Sequence, residues 1–142
     1  QLHIVLVTGV IEKAGKFLIS QRSLDESHLP GWWSIPGGKV ESTNTVVQNV
    51  LEISLRREIM EEVGIEIEDN PKLISNSTFA RSTGHSVIWL VFHCFWKSGE
   101  AKALSECVEV AWVGLDELSK YKVSNEIVNL INLCSRETTS KT

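Results

Sequence analysis

The stretch GGKVESTNTVVQNVLEISLRREIMEEVGI, Gly37 to Ile65, decides how this chain of 142 residues is read. It opens on a glycine pair and closes on Arg57, Glu58, Glu61 and Glu62, with Gly64 just beyond. That charge is either a solvated helix face or a site. Leu51, Leu55, Ile59 and Val63 recur at helical spacing, so an amphipathic helix is predicted from about Asn49 to Val63 with an apolar stripe toward a core. Asn49 is its expected N-cap, Glu52 the reciprocal partner of a capping box, and Gly64 the left-handed terminator. At about 100° per residue, Glu58, Glu61 and Glu62 share one arc beside the stripe.

Three like charges at i, i+3 and i+4 repel by a few tenths of a kcal/mol per pair, and no lysine on that face relieves them. A hard divalent cation does, and carboxylates on a rigid helix suit magnesium or manganese. Upstream, Pro36, Gly37 and Gly38 read as a bend without obstructing side chains, where a carbonyl can turn toward the helix and a phosphate can approach. Joined to the acidic face, the bend is a candidate metal and pyrophosphate site.

Working outward, 42% hydrophobic residues suffice for one domain, expected over 1–136, with a small polar tail at 137–142 expected to fray. The net charge of −4 excludes the broad basic surface that a nucleic acid polymer needs, but not a small anion bridged by a cation. Cys94, Cys107 and Cys134 form no disulfide framework or zinc pattern and fit a reducing compartment. The apolar run from Val87 to Trp96 is half a membrane span, so it reads as a buried strand, and the first residues lack a signal-peptide pattern. The expectation is a cytosolic protein without a membrane partner.

Residues 3–22 predict a hairpin turning at Lys13, Ala14 and Gly15, followed by a loop, SLDESHLPGWW. Further strands are expected at about 72–82, 87–97 and 108–114, and a second helix at about 125–137. Strands interspersed with helices predict an α/β fold, a mixed sheet covered on its faces.

These residues resemble the Nudix hydrolase signature GX5EX7REUXEEXGU, where U is bulky and apolar. Arg57-Glu58-Ile59-Met60-Glu61-Glu62-Val63-Gly64-Ile65 match its second half and Gly38 its opening glycine. LISQR, GWWSIPGGKVE and VEVAWVGLDEL extend the likeness over most of the chain. The middle departs: eight residues before Arg57, where the signature has glutamate, stands Asn49, and Gly38 lies five residues too far away, the extra length falling around 42–47. In the family that glutamate helps to position the arginine, for which Glu41 or Glu52 could substitute.

The resemblance implies a Nudix fold, an α/β/α sandwich, and a Mg2+- or Mn2+-dependent pyrophosphohydrolase acting on a nucleoside diphosphate linked to another group. It implies metal ligation by the Gly38 carbonyl, Glu58, Glu61 and Glu62, and in-line attack of a cation-activated water. Glu61 or a glutamate on a later loop would take the proton, Glu62 and Arg57 completing the catalytic set. Arg22 matches a phosphate-contacting position, Gly37 and Lys39 flank the phosphate approach, and Trp33 is a candidate for base stacking. Glu106 is preferred over Glu109 as the later glutamate. His28, His85 and His93 carry no specific signal. Ser27 replaces an arginine of the coenzyme A branch and Ala80 the proline of ADP-ribose enzymes, which leaves nucleoside triphosphates, oxidised ones included, or nucleotide sugars. The alternative is a catalytically weak nucleotide sensor on the same fold. Either a monomer or a homodimer is compatible, the hydrophobic first strand being the candidate for pairing across an interface.

Overall fold

The computed structural model describes residues 2–26, 29–41 and 43–140. Strands β1 (Ile4–Lys13) and β2 (Lys16–Arg22) form the expected hairpin, pairing at Glu12–Phe17 and Lys13–Lys16. Ala14 and Gly15 both take positive φ, 50° and 78°, the two-residue turn whose twist suits a hairpin. Beyond that end the strands part company. β2 pairs with β8 (Cys107–Val113) and β3 (Trp33–Ser34), whereas β1 accepts β4 (Gly37–Lys39) at Leu6–Lys39, Val7–Gly38 and Thr8–Gly37. The resulting notch between β2 and β4 is where the candidate site forms.

On its other edge β1 runs parallel to β7 (Ser86–Ser98), from Ile4 beside Val87 to Glu12 beside Phe95. β5 (Glu66–Ile67) and β6 (Lys72–Ala80) pair antiparallel with β7, completing a mixed eight-stranded sheet. Helix α1 (Val50–Val63) covers one face. Its Leu55, Ile59 and Val63 are fully buried against Val7, Ile11, Leu18, Phe92 and Cys94. Helix α2 (Asn125–Ser140) covers the other, with Ile127, Leu130, Ile131 and Cys134 on Val10, Phe17, Ile19 and Val91. Burying one such side chain stabilises by about 1.5–3 kcal/mol, so the α1 stripe alone fixes which face of that helix meets the sheet. A 3-10 helix, Leu115–Lys120, links β8 to the approach to α2. The α/β sandwich is as expected.

Four local expectations are corrected. Asn49 precedes α1 in the left-handed region, φ 57°, and makes no side-chain capping bond, so no capping box with Glu52 forms. A left-handed residue there turns the 43–49 segment into the helix, and asparagine tolerates that conformation. Pro36-Gly37-Gly38 is an extended segment leading into β4, anchored by Gly9 N–H donating to Pro36 O at 2.9 Å; its glycines serve close approach rather than bending. β1 has neighbours along both edges and has none free for a partner chain. Finally, residues 137–140 continue α2 instead of fraying. Thr138 donates to Glu12 Oε1 at 2.8 Å and Lys72 to Glu137 Oε1 at 3.3 Å, so these two residues are held by the strands beneath them, while 141–142 lie outside the described residues. Among the described residues no helix is long and apolar enough to cross a membrane.

Candidate active site

The register of β4 on β1 brings its two glycines against the backbone of one element and the carboxylates of another. A Cβ at Gly37 would fall on Val7 O and Thr8 Cα, and one at Gly38 would fall on the Glu58 carboxylate. Glycine is required at both positions by proximity. Glu58 leans on Gly38 and lies 3.4 Å from Arg57 Nη2, which also donates to Lys39 O at 3.4 Å. Arg57 Nε is buried and, among the described residues, has no hydrogen-bond partner. Asn49, left-handed at the helix start, does not supply one, and neither Glu41 nor Glu52 does.

One turn further along α1, Glu62 reaches into the notch. Ser20 of β2 donates its hydroxyl to Glu62 Oε1 at 3.1 Å, and the Gly37 backbone N–H of β4 donates as well. Burial pushes the Glu62 carboxyl up to about 7, and the neighbouring charge of Glu58 pushes the same way, against the pull of those two hydrogen bonds and of Arg22. Glu61 is exposed. Among the described residues no three His, Cys, Asp or Glu side chains converge as a ready-made metal cage.

The donor set nevertheless suits a hard cation. It consists of carboxylate and backbone oxygens. A soft atom nearby is the Cys107 thiol, whose pKa burial pushes up, with Glu62 adding to the shift, which favours the protonated thiol in the metal-free protein. A buried, under-solvated carboxylate beside a second one is the environment that a divalent cation relieves.

The other expected residues scatter. Arg22 pairs with Glu26 at 3.2 Å while remaining within electrostatic reach of Glu62. Lys39 is exposed, and it is its carbonyl that joins the site. Glu106 is exposed, while its neighbour Cys107 is the residue that feels the charge of Glu62. Trp33 lies on the opposite face, edge-on to Tyr121 with centroids 4.9 Å apart, within the cluster beneath α2. Its neighbour Trp32 takes the Lys122 ammonium over its ring at 4.8 Å. His85 bonds to Thr83 within its own loop, and His93 is buried against Glu12. His28 and Ser27 lie outside the described residues, as does Ser42 of the lengthened loop.

The NUDIX domain model matches residues 2–134. The chain belongs to the Nudix family. It is 30% identical over 128 residues to a protein named nucleoside triphosphatase NudI from Escherichia coli O139:H28, across 84% of this chain and 87% of that one. Among solved structures it resembles the MutT protein from Methanosarcina mazei Go1, at 27% identity and a TM-score of 0.75, covering 96% of this chain and 95% of that one. The fold is also that of a MutT Nudix hydrolase from Burkholderia pseudomallei, with a TM-score of 0.75 at 24% identity over 93% and 98% of the two chains. This chain is accordingly a Nudix hydrolase, of a family that hydrolyses nucleoside diphosphates linked to another moiety. Ser20 and Cys107 were the site neighbours that the motif alone did not indicate; the only sequence signal for Ser20 is a hydroxyl where the alternation of KFLISQR calls for an apolar residue.

Proposed function

We propose that this Nudix hydrolase cleaves the pyrophosphate linkage of a nucleoside triphosphate, oxidised nucleotides included, or of a nucleotide sugar, with Mg2+ or Mn2+ as cofactor. The observation that carries the reading is the meeting of Glu58 and Glu62 with the Gly37–Gly38 segment in the notch between β2 and β4. Glu58, Glu62 and the Gly38 carbonyl would hold the cation, with Glu61 at the rim. Bound there, the cation would neutralise the diphosphate and make a water nucleophilic. The likeness to a nucleoside triphosphatase over most of both chains favours a triphosphate.

The chain's own groups have separable tasks. Absence of a side chain at Gly37 and Gly38 leaves the backbone open to a phosphate. Arg22 supplies positive charge within electrostatic reach of Glu62. Glu62, at about 7 before any cation binds, is balanced between holding and releasing a proton near neutral pH. Glu61, exposed and one helical turn from Glu58, is the group free to accept a proton from solvent-side water. Arg57 braces Glu58 against the Lys39 carbonyl.

The second reading, a nucleotide sensor with weak catalysis, is favoured by two features: an Arg57 Nε without a hydrogen-bond partner among the described residues, and Asn49 where the signature has a glutamate. Release of phosphate or pyrophosphate across a panel of nucleotides with Mg2+ separates the two. Turnover that falls by several orders of magnitude in Glu58→Gln and Glu62→Gln, with the fold kept, supports the hydrolase. Tight binding without release supports the sensor, and full activity in Glu62→Gln at saturating Mg2+ refutes the assignment of the site.

A further inference from the structure

Strand β2 places Phe17 and Ile19 in the cluster under α2 and Leu18 in the cluster under α1. Its next α1-facing position is Ser20, only 4% exposed. A core position is thus occupied by a hydroxyl, which burial disfavours unless it is hydrogen-bonded. Its partner is Glu62 Oε1 at 3.1 Å, 42 positions away in sequence. The same carboxylate accepts the Gly37 N–H, so two donors, one from each wall of the notch, grip it.

We infer that Ser20 is a positioning residue for cation binding, its hydroxyl fixing the orientation in which Glu62 presents its free lone pairs. The inference rests on the proposed metal-dependent reading of the site. A carboxylate has about four acceptor positions, so two donors leave the others available. Glu58 is oriented differently, by the bare backbone at Gly38 and by Arg57. Without Ser20 the Glu62 carboxylate keeps one tether and can rotate about it. Groups that orient a ligand in this way typically alter metal affinity by about 10–100-fold when removed. The hydroxyl therefore belongs functionally to α1 although it is carried by β2.

The test is Mn2+ binding to the nucleotide-free protein, followed by the electron paramagnetic resonance of the free ion, alongside thermal unfolding in chelator and the Mg2+ dependence of turnover. Ser20→Ala is expected to weaken Mn2+ binding about tenfold, and to raise the Mg2+ concentration needed for half-maximal turnover while kcat at saturating Mg2+ is largely recovered. Ser20→Thr, which restores the hydroxyl on a residue suited to a strand, is expected to bind as the unmodified protein does. Ser20→Cys, close in volume but a weak donor, should lose several-fold, and it carries the comparison if Ser20→Ala does not fold. Unchanged affinity in Ser20→Ala or, failing its folding, in Ser20→Cys overturns the role of Ser20. So does an equal loss in Ser20→Ala and Ser20→Thr, which would indicate packing. An unmodified protein that binds no Mn2+ overturns the metal-dependent reading itself, and the role of Ser20 with it.

Discussion

The imidazole Nε2 of His93 and the carboxylate Oε1 of Glu12 stand 3.0 Å apart in the interior, carried by the parallel strands β7 and β1 on the α2 face of the sheet. Thr138 of α2 donates to the same carboxylate oxygen. Removing the carboxylate takes the hydrogen-bond partner from a buried imidazole whose other nitrogen lies 3.8 Å from Glu137 Oε2. Glu12→Leu is therefore expected to lower stability by about 1–3 kcal/mol, read from urea unfolding. Because this pair lies across the sheet from Glu58 and Glu62, kcat of the folded fraction should stay within about twofold. Unchanged stability would show that the pair contributes nothing net.

Adjacent glycines make opposite predictions. Gly37→Ala drives a methyl group into the β1 backbone at Val7 and Thr8, which cannot swing aside, and should cost about 2–3 kcal/mol of stability. Gly38→Ala meets first the end of the flexible Glu58 side chain. It should leave thermal unfolding nearly unchanged yet lower turnover about 100-fold by displacing a carboxylate. Equal behaviour of the two variants in both assays would mean that Glu58 has no need of its place against Gly38.

Glu62 makes the metal-free protein pH-sensitive. Its carboxyl stands at about 7 in the folded chain against an ordinary 4.5, so between these values the folded state holds a proton that the unfolded state has released. Stability then falls as pH rises from about 4.5 and levels off above about 7, by at most about 3 kcal/mol. In chelator, urea midpoints at pH 5 and pH 8 should differ in that direction, and the difference should shrink in Glu62→Gln. Adding Mg2+ at pH 8 should raise the midpoint. A midpoint in chelator that climbs with pH through this window, equally in both proteins, would contradict the burial argument.

Asn49→Gly should be neutral or stabilising by up to about 1 kcal/mol, since φ of 57° suits glycine and the side chain makes no capping bond. Asn49→Glu restores the signature's residue type, but at a left-handed position that costs about 1 kcal/mol. It is expected to lower stability without raising turnover. Recovery of turnover in Asn49→Glu would mean that residue 49 does reach Arg57 during the reaction.

What the sequence revealed follows the length of each periodic signal. Leu55, Ile59 and Val63 announced α1 and its buried face, and Gly64 its end. Strands of two or three residues, such as β3, β4 and β5, carry too few alternations to be read. In the site, Gly38, Glu58 and Glu62 were legible because all three sit within or beside one helix and one glycine step. Ser20 was not, since its importance arises from the parting of two strands, which no local pattern encodes. The face that Trp33 joins was out of reach for a related reason: whether a tryptophan faces α1 or α2 depends on the pairing of a two-residue strand, where Gln21 opposite it sets the side.

The parallel pairing of β1 with β7 joins Ile4 to Val87 and Glu12 to Phe95. A chain emerging from the ribosome therefore carries every residue of the acidic helix well before it can close the central ladder that supports them. Until β7 has been made, β1 lacks its longest neighbour. A fragment ending at Ile65, although it contains every residue that matches the signature, is expected to remain an unstructured peptide without hydrolytic power, because long-range pairing has to come first. The motif is a property of the finished sheet, and transplanting its letters alone would not transplant the chemistry.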